Sequence, residues 1–251
     1  MSLYYNSPMD EKITIINLHK SFGQQVVFSG LHLSVYAGEI LCIIGKSGSG
    51  KSVLLKHCIG ILKPDSGSIL VDGQKISNDD SDASIIKKFG VLFQGGALFD
   101  SMNVYDNIAF PLRRQGASEE IIAQKIPELL AHVGLKGIEA RMPSELSGGI
   151  QKRVALARAI AKNPEIMLYD EPTTGVDPIN SGSLYRLIAY MRTTFHVTSV
   201  IVTHDMRLAF TIADRIAMLH DGTIIVEGTP QQIKECQDAV VQQFVSGKAA
   251  V

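Results

Sequence analysis

Ile40-Leu41-Cys42-Ile43-Ile44-Gly45-Lys46-Ser47-Gly48-Ser49-Gly50-Lys51-Ser52 is the stretch on which the reading of this chain turns. Residues 40–44 form a continuous apolar run of the length of a buried strand. The eight residues after it fit the pattern GxxxxGK[ST], and a helix is predicted from about residue 50 to 60. In such a strand, loop, helix order, successive backbone N–H groups and the helix N-terminus can surround phosphate oxygens. Lys51 then acts as a point charge and Ser52 as a magnesium ligand. A Gly/Ser-rich turn without a ligand is the plain alternative, and it meets this strand and helix context less often by chance.

Outward from that stretch the pattern alternates. Residues 13–18 and 31–35 read as strands of an antiparallel edge, and 69–71, 90–93, 166–169, 199–203 and 215–219 as further short apolar strands. Several are followed by helical patterns, as a parallel α/β sheet requires. Residues 223–226 close a final hairpin around Asp221-Gly222. Between 94 and 162 the strand signal gives way to helical patterns at 118–132 and 148–161. Ser118 is placed as an N-cap, with Glu119 and Glu120 at the positive end of the helix dipole. The expectation is a single α/β domain over 1–251. Its sheet-based core with the antiparallel edge takes 11–93 and 163–230, the helical insertion 94–162, and a short helix with a polar tail 231–251.

Composition narrows the function classes. The 251 residues are 45% hydrophobic and 20% charged, enough for a full core, and 24 basic residues stand against 25 acidic ones. A net charge of −1 carries no positive field for nucleic acid, so any phosphate site is local. Cys42, Cys58 and Cys236 are scattered, with no CxxC pair, and read as small buried apolar residues in a reducing compartment. No apolar run approaches the roughly 20 residues that span a bilayer, and no basic-then-apolar signal opens the chain. A soluble, cytoplasmic chain is expected.

Two further segments carry chemistry. Ile166-Met167-Leu168-Tyr169-Asp170-Glu171 is a mostly apolar strand ending in two carboxylates. Delivered to a phosphate site, the Asp can hold magnesium and the Glu can orient or deprotonate a water; elsewhere they are two solvated acids at a strand end. Leu146-Ser147-Gly148-Gly149-Ile150-Gln151 opens a helix, with Ser147 in N-cap chemistry and uncovered N–H groups at Gly148 and Gly149. Read alone, it is a capped structural helix.

In order along the chain come a phosphate loop, Gln94 after a strand, LSGG, a strand ending Asp-Glu, a loop at Asp177, and His204 after a strand. That series resembles the ABC ATPases over nearly the whole chain. The resemblance implies a P-loop NTPase (RecA-like) core with an antiparallel β edge and an inserted helical subdomain. It also implies a head-to-tail homodimer that sandwiches two ATP molecules. Each site would join Gly45, Lys46, Ser47, Gly48, Ser49, Gly50, Lys51 and Ser52 of one copy to Ser147, Gly148 and Gly149 of the other. By the same resemblance Phe22 stacks on adenine, and its alternative is an edge-strand core aromatic. Gln94 reaches magnesium and the attacking water, Glu171 is the general base, His204 contacts the γ-phosphate, and Ser52 and Asp170 hold magnesium. Asp177 has two compatible readings: the cap of a helix beginning at Pro178, and the loop that links the two sites across the dimer.

A narrower resemblance lies in Gln94-Gly95-Gly96-Ala97-Leu98-Phe99-Asp100-Ser101-Met102-Asn103-Val104-Tyr105-Asp106-Asn107-Ile108-Ala109-Phe110-Pro111-Leu112 and in Met142-Pro143-Ser144-Glu145. Both look like the Mla-type ATPases that move phospholipid or sterol with Mce-type proteins. The resemblance implies a separate integral membrane permease, an Mce-type lipid-binding partner, and a place on the cytoplasmic face of the inner membrane reached only through that permease. Leu98, Phe99, Val104 and Phe110 are then candidates for the groove that meets the permease, or else core of the helical subdomain. Departures from the common pattern are Ile150 where Gln is frequent, Thr174-Gly175-Val176-Asp177 in place of Ser-Ala-Leu-Asp, and Lys46 where Pro is frequent. Two other classes compete. A non-transport ABC ATPase usually pairs two cassettes or inserts coiled coils, and a metabolite kinase leaves LSGG and His204 without a role.

Overall fold

The computed structural model describes residues 10–77 and 82–246. Two sheets and a set of helices make up three layers. β1 (Glu11–Phe22) and β2 (Gln25–Tyr36) pair antiparallel. β4 (Ser66–Val71) lies on the other side of β1, and β5 (Gln74–Lys75) follows it, giving the order β2-β1-β4-β5. The second sheet runs β10-β9-β3-β8-β7-β6. In it β3 (Ile40–Ile44), β6 (Phe89–Leu92), β7 (Ile166–Asp170), β8 (Thr198–Thr203) and β9 (Arg215–His220) are mutually parallel, and β10 (Thr223–Gly228) is antiparallel to β9 at the edge.

The apolar runs explain the layering. Every residue of β3, β7 and β8 is buried, as strands covered on both faces must be. Alternate side chains then serve different cores. Leu41, Ile43, Ile166, Leu168, Val200 and Val202 pack toward the antiparallel sheet and α1 (Lys51–Cys58). Ile40, Cys42, Ile44, Met167, Tyr169 and Ile201 pack into a second core with the remaining helices. Burial pushes the Cys58 thiol up to about 12 and the Cys42 thiol higher still, so both stay protonated and inert. Asp221 (φ 44°) and Gly222 (φ 80°) make the two-residue turn between β9 and β10, the left-handed pair that a type I′ hairpin uses.

Among the described residues no strand lies between β6 and β7. After α2 (Ala83–Ile86) and β6 come α3 (Val104–Arg114), α4 (Glu119–His132), a 3₁₀ turn at Pro143–Glu145 and α5 (Gly148–Ile160). Asn103 caps α3 by accepting from the Asp106 amide at 2.7 Å, and the Ser118 hydroxyl accepts from the Ile121 amide at 3.5 Å. α6 (Pro178–Phe195) and α7 (Met206–Ile212) follow β7 and β8.

One expectation needs correction, and one pair of alternatives is decided. The stretch after 230 holds two helices, α8 (Pro230–Glu235) and α9 (Ala239–Val245). Each buries an apolar residue fully, Ile233 and Val241, so this segment packs as core, and only residues 247–251 of the expected tail lie outside the described residues. Of the four groove candidates, Val104 is fully buried at the start of α3 and is unavailable to a partner, and Leu98 is half-buried against the core. Phe99 is exposed, with its ring 4.8 Å from that of Phe110. No helix among the described residues is long and apolar enough to cross a membrane.

Candidate functional site

The carboxyl ends of β3, β7 and β8 meet at one cleft of about 370 Å³. At the end of β3 the chain turns through 45–50, where a Cβ on Gly45 would lie 2.5 Å from the Leu219 carbonyl oxygen. Only glycine fits there. Gly50 adopts φ 99° directly before α1. The loop curls around its own lysine: Lys51 Nζ donates to the Gly45 carbonyl at 2.8 Å and the Lys46 carbonyl at 3.0 Å. Burial pushes the Lys51 ammonium below its ordinary value, and the charges of Glu171 and Asp170 oppose that push.

Opposite it, β7 delivers its two acids. Asp170 Oδ1 accepts from Ser52 Oγ at 2.7 Å. Burial raises the Asp170 carboxyl, a raise that the Ser52 hydrogen bond opposes and the neighbouring Glu171 charge adds to. A buried carboxylate beside a hydroxyl, all oxygen donors, has the chemistry that suits a hard divalent cation. Glu171 leaves the strand in the left-handed region at φ 44°, its amide donating to the Val202 carbonyl at 2.9 Å. Its Oε1 lies 3.8 Å from Lys51 Nζ. Its Oε2 lies 2.8 Å from His204 Nδ1 and accepts from the Thr203 hydroxyl and the His204 amide at 3.3 Å each.

The same cleft is lined by Phe22, Ser47, Gly48, Ser52, Gln94 and His204. Phe22 is 47% exposed at the end of β1, with Lys20 Nζ 5.3 Å from its ring centre, so it is not the core aromatic of the alternative reading. Gln94 stands just past β6, its carbonyl oxygen accepting from Lys152. Ser147, Gly148, Gly149 and Asp177 are elsewhere. They line a second cleft of about 380 Å³ with Ile150, Arg153, Gly175, Ser183 and Leu184, and it shares no lining residue with the first. Ser147 occupies the N-cap position of α5, yet its hydroxyl accepts no capping bond and is exposed, which corrects the capped-helix reading. The Asp177 carbonyl accepts from the Ser181 amide at 3.0 Å, the first-turn bond of a helix entered at that residue.

The ABC transporter family model matches residues 28–174, a span holding the phosphate loop, Gln94, LSGG and both acids of β7. The chain belongs to the ABC transporter family. It is an ATPase with the P-loop NTPase fold, and it binds ATP. It is 42% identical over 241 residues to the intermembrane phospholipid transport system ATP-binding protein MlaF of Haemophilus influenzae, covering 94% of this chain and 91% of that protein. A probable ribonucleotide transport ATP-binding protein, mkl of Mycobacterium tuberculosis, is also 42% identical, over 96% of this chain and 68% of that protein. Among solved structures it resembles an ATP-binding cassette in a dimeric post-hydrolysis state with ADP and Pi. There the TM-score is 0.79 at 31% identity, over 87% of this chain and 98% of that one. It also resembles cbiO1 of Clostridium perfringens, with a TM-score of 0.83 at 26% identity over 93% and 94% of the two chains.

For this ABC ATPase, sequence reasoning missed Thr203, whose hydroxyl both donates to Glu171 and accepts the Asp205 amide at 2.9 Å. It also missed Gln25, Val27 and Thr174 in the cleft wall. Thr203 had one legible signal, its place immediately before His204 at the end of an apolar strand.

Proposed function

We propose that the chain works as a head-to-tail pair in which each ATP lies between the 45–52 loop of one copy and Ser147, Gly148 and Gly149 of the other. The supporting observation is the split of these residues between two clefts of one chain, each with half of the groups a nucleotide needs. In this reading Phe22 stacks on adenine and Lys46 to Ser52 cradle the phosphates. Ser52, Asp170 and Gln94 would hold magnesium, which supplies charge neutralisation on the phosphate oxygens. Glu171 receives the proton of the attacking water, and its position between Lys51 and His204 keeps the carboxylate aimed into the cleft. His204, 63% exposed at its side chain, is free to turn toward a γ-phosphate. Asp177, at the second cleft, lies where it links the two sites.

The subdomain division follows the sequence reading, with 94–162 as the helical part that faces a separate membrane permease. The complex sits on the cytoplasmic face of the inner membrane, and the exposed Phe99 with Phe110 remains of the expected permease groove. The cargo is phospholipid, handled with an Mce-type partner. The MlaF relative supports this over the ribonucleotide reading because it is matched over 91% of its length against 68%. The test is reconstitution of the chain, with the membrane proteins that co-purify with it, into liposomes. ATP is expected to drive exchange of a fluorescent phospholipid to acceptor vesicles, and a Glu171→Gln complex is expected not to. ATP-driven uptake of a ribonucleotide with no lipid exchange would overturn the cargo assignment.

A further inference from the structure

The loop after β6, which carries Gln94, is held by two cations of α5. Lys152 Nζ donates to the Gln94 carbonyl, and Arg158 donates to the Gly96 carbonyl at 2.9 Å and the Ala97 carbonyl at 2.8 Å. Lys152 is 5% exposed, and neither cation pairs with a carboxylate among the described residues. Burial lowers both from their ordinary values, opposed for Lys152 by the charges of Asp170 and Glu171. A buried ammonium held only by a carbonyl is a poor way to fill a core, where Met or Leu would serve better. What it does supply is a fixed point for the backbone of Gln94, one residue class that a lone strand end leaves unrestrained.

The two anchors also divide the loop. Arg158 fixes its far side at 96 and 97, and Lys152 fixes Gln94, whose side chain lines the nucleotide cleft. Both cations belong to the helix whose first turn presents Gly148 and Gly149 to the second cleft.

We propose that Lys152 is a positioning residue for ATP hydrolysis: through the main chain of Gln94 it sets where the Gln94 amide stands in the cleft, and it ties that setting to α5. The proposal rests on the role given to Gln94 above. It concerns the catalytic step more than nucleotide affinity, because phosphate binding lies with the 45–52 loop.

A double-mutant cycle on the full-length chain separates positioning from mere packing. Lys152→Met, close to lysine in length and apolar, is expected to lower kcat about tenfold while the ATP Kd, read by equilibrium binding, moves less than about twofold. Lys152→Arg, which keeps a donor, is expected to restore most of the rate. Hydrogen exchange is expected to rise at Gln94 and Gly95 in Lys152→Met. In a Gln94→Ala background the same Lys152→Met change is expected to cost nothing further, since no side chain is left to position. An equal loss in both backgrounds, an unchanged kcat in Lys152→Met, or unchanged exchange at 94–95 would overturn the proposal. Should Lys152→Met not fold, Lys152→Gln is read in the same cycle against the same outcomes. The two failures are distinct: Gln94→Ala without effect on kcat removes the role of Gln94, whereas a slow Gln94→Ala beside a normal Lys152→Met removes only the clamp.

Discussion

Glu171 is held more tightly than a carboxylate in open water would be. Its Oε2 takes two donors, the His204 amide and the Thr203 hydroxyl, and lies 2.8 Å from the His204 ring, while Oε1 faces Lys51 at 3.8 Å. Its left-handed backbone costs on the order of 1 kcal/mol, and the bond from its amide to the Val202 carbonyl stabilises that conformation. Glu171→Gln preserves shape and removes the carboxylate proposed above as the proton acceptor. Steady-state assays are expected to show hydrolysis down by about 10²-fold or more, with ATP binding retained. Thr203→Val takes away one donor and leaves the Asp205 amide without its partner, so kcat is expected to fall by about three- to tenfold while stability drops by about 1–2 kcal/mol in urea titrations. At this scale the acids, Lys51 and Ser52 were legible because their motif spacing implies chemistry. Thr203 and Lys152 were not, since a threonine in a strand and a lysine in a helix look like ordinary structure until their partners from distant segments are in place.

At the level of elements, the two sheets are joined by a charge chain. Lys12 on β1 meets Asp72 at 2.8 Å and Glu165, just before β7, at 2.5 Å, and Lys88 next to β6 also pairs with Asp72. Burial pushes the Asp72 carboxyl up, but its bonds to Lys12 and Lys88 outweigh that and leave it below the usual carboxylate range. A depressed carboxyl stabilises the fold at neutral pH, and that contribution disappears as the pH falls through its folded value. Asp72→Asn is therefore expected to be less stable than the parent by about 0.5–1 kcal/mol at pH 7. The gap should close as the pH drops below about 4. Denaturant midpoints across that range check it, and a gap that stayed constant would contradict it. The strands of the parallel sheet were legible as apolar runs because burial on both faces removes polar alternation. At the C-terminus one short helix was legible, but its division into α8 and α9 was not, because each spans only a few residues, Pro230–Glu235 and Ala239–Val245. Ile233 is fully buried, so Ile233→Ala is expected to cost about 2–4 kcal/mol in urea titrations.

For the whole molecule, the decisive geometry is that the phosphate loop and the LSGG segment line two clefts with no residue in common. In the head-to-tail pair proposed above, two copies related by a twofold axis meet isologously and each gives the other the segment its own cleft lacks. Lys51→Met disables the loop of a chain and spares its Ser147, whereas Ser147→Arg blocks the second cleft and spares the loop. Each homodimer is expected to be nearly inactive. When the two variants are co-expressed, mixed dimers contain one site with both defects and one with neither. Random assortment makes about half of the dimers mixed, each with one of two sites intact, so activity is expected to recover toward about a quarter of the parent rate. A mixture no more active than the sum of its two homodimers would place all the catalytic groups within one chain. The separation of Ser147 from Lys51 in the fold would then have no role in hydrolysis.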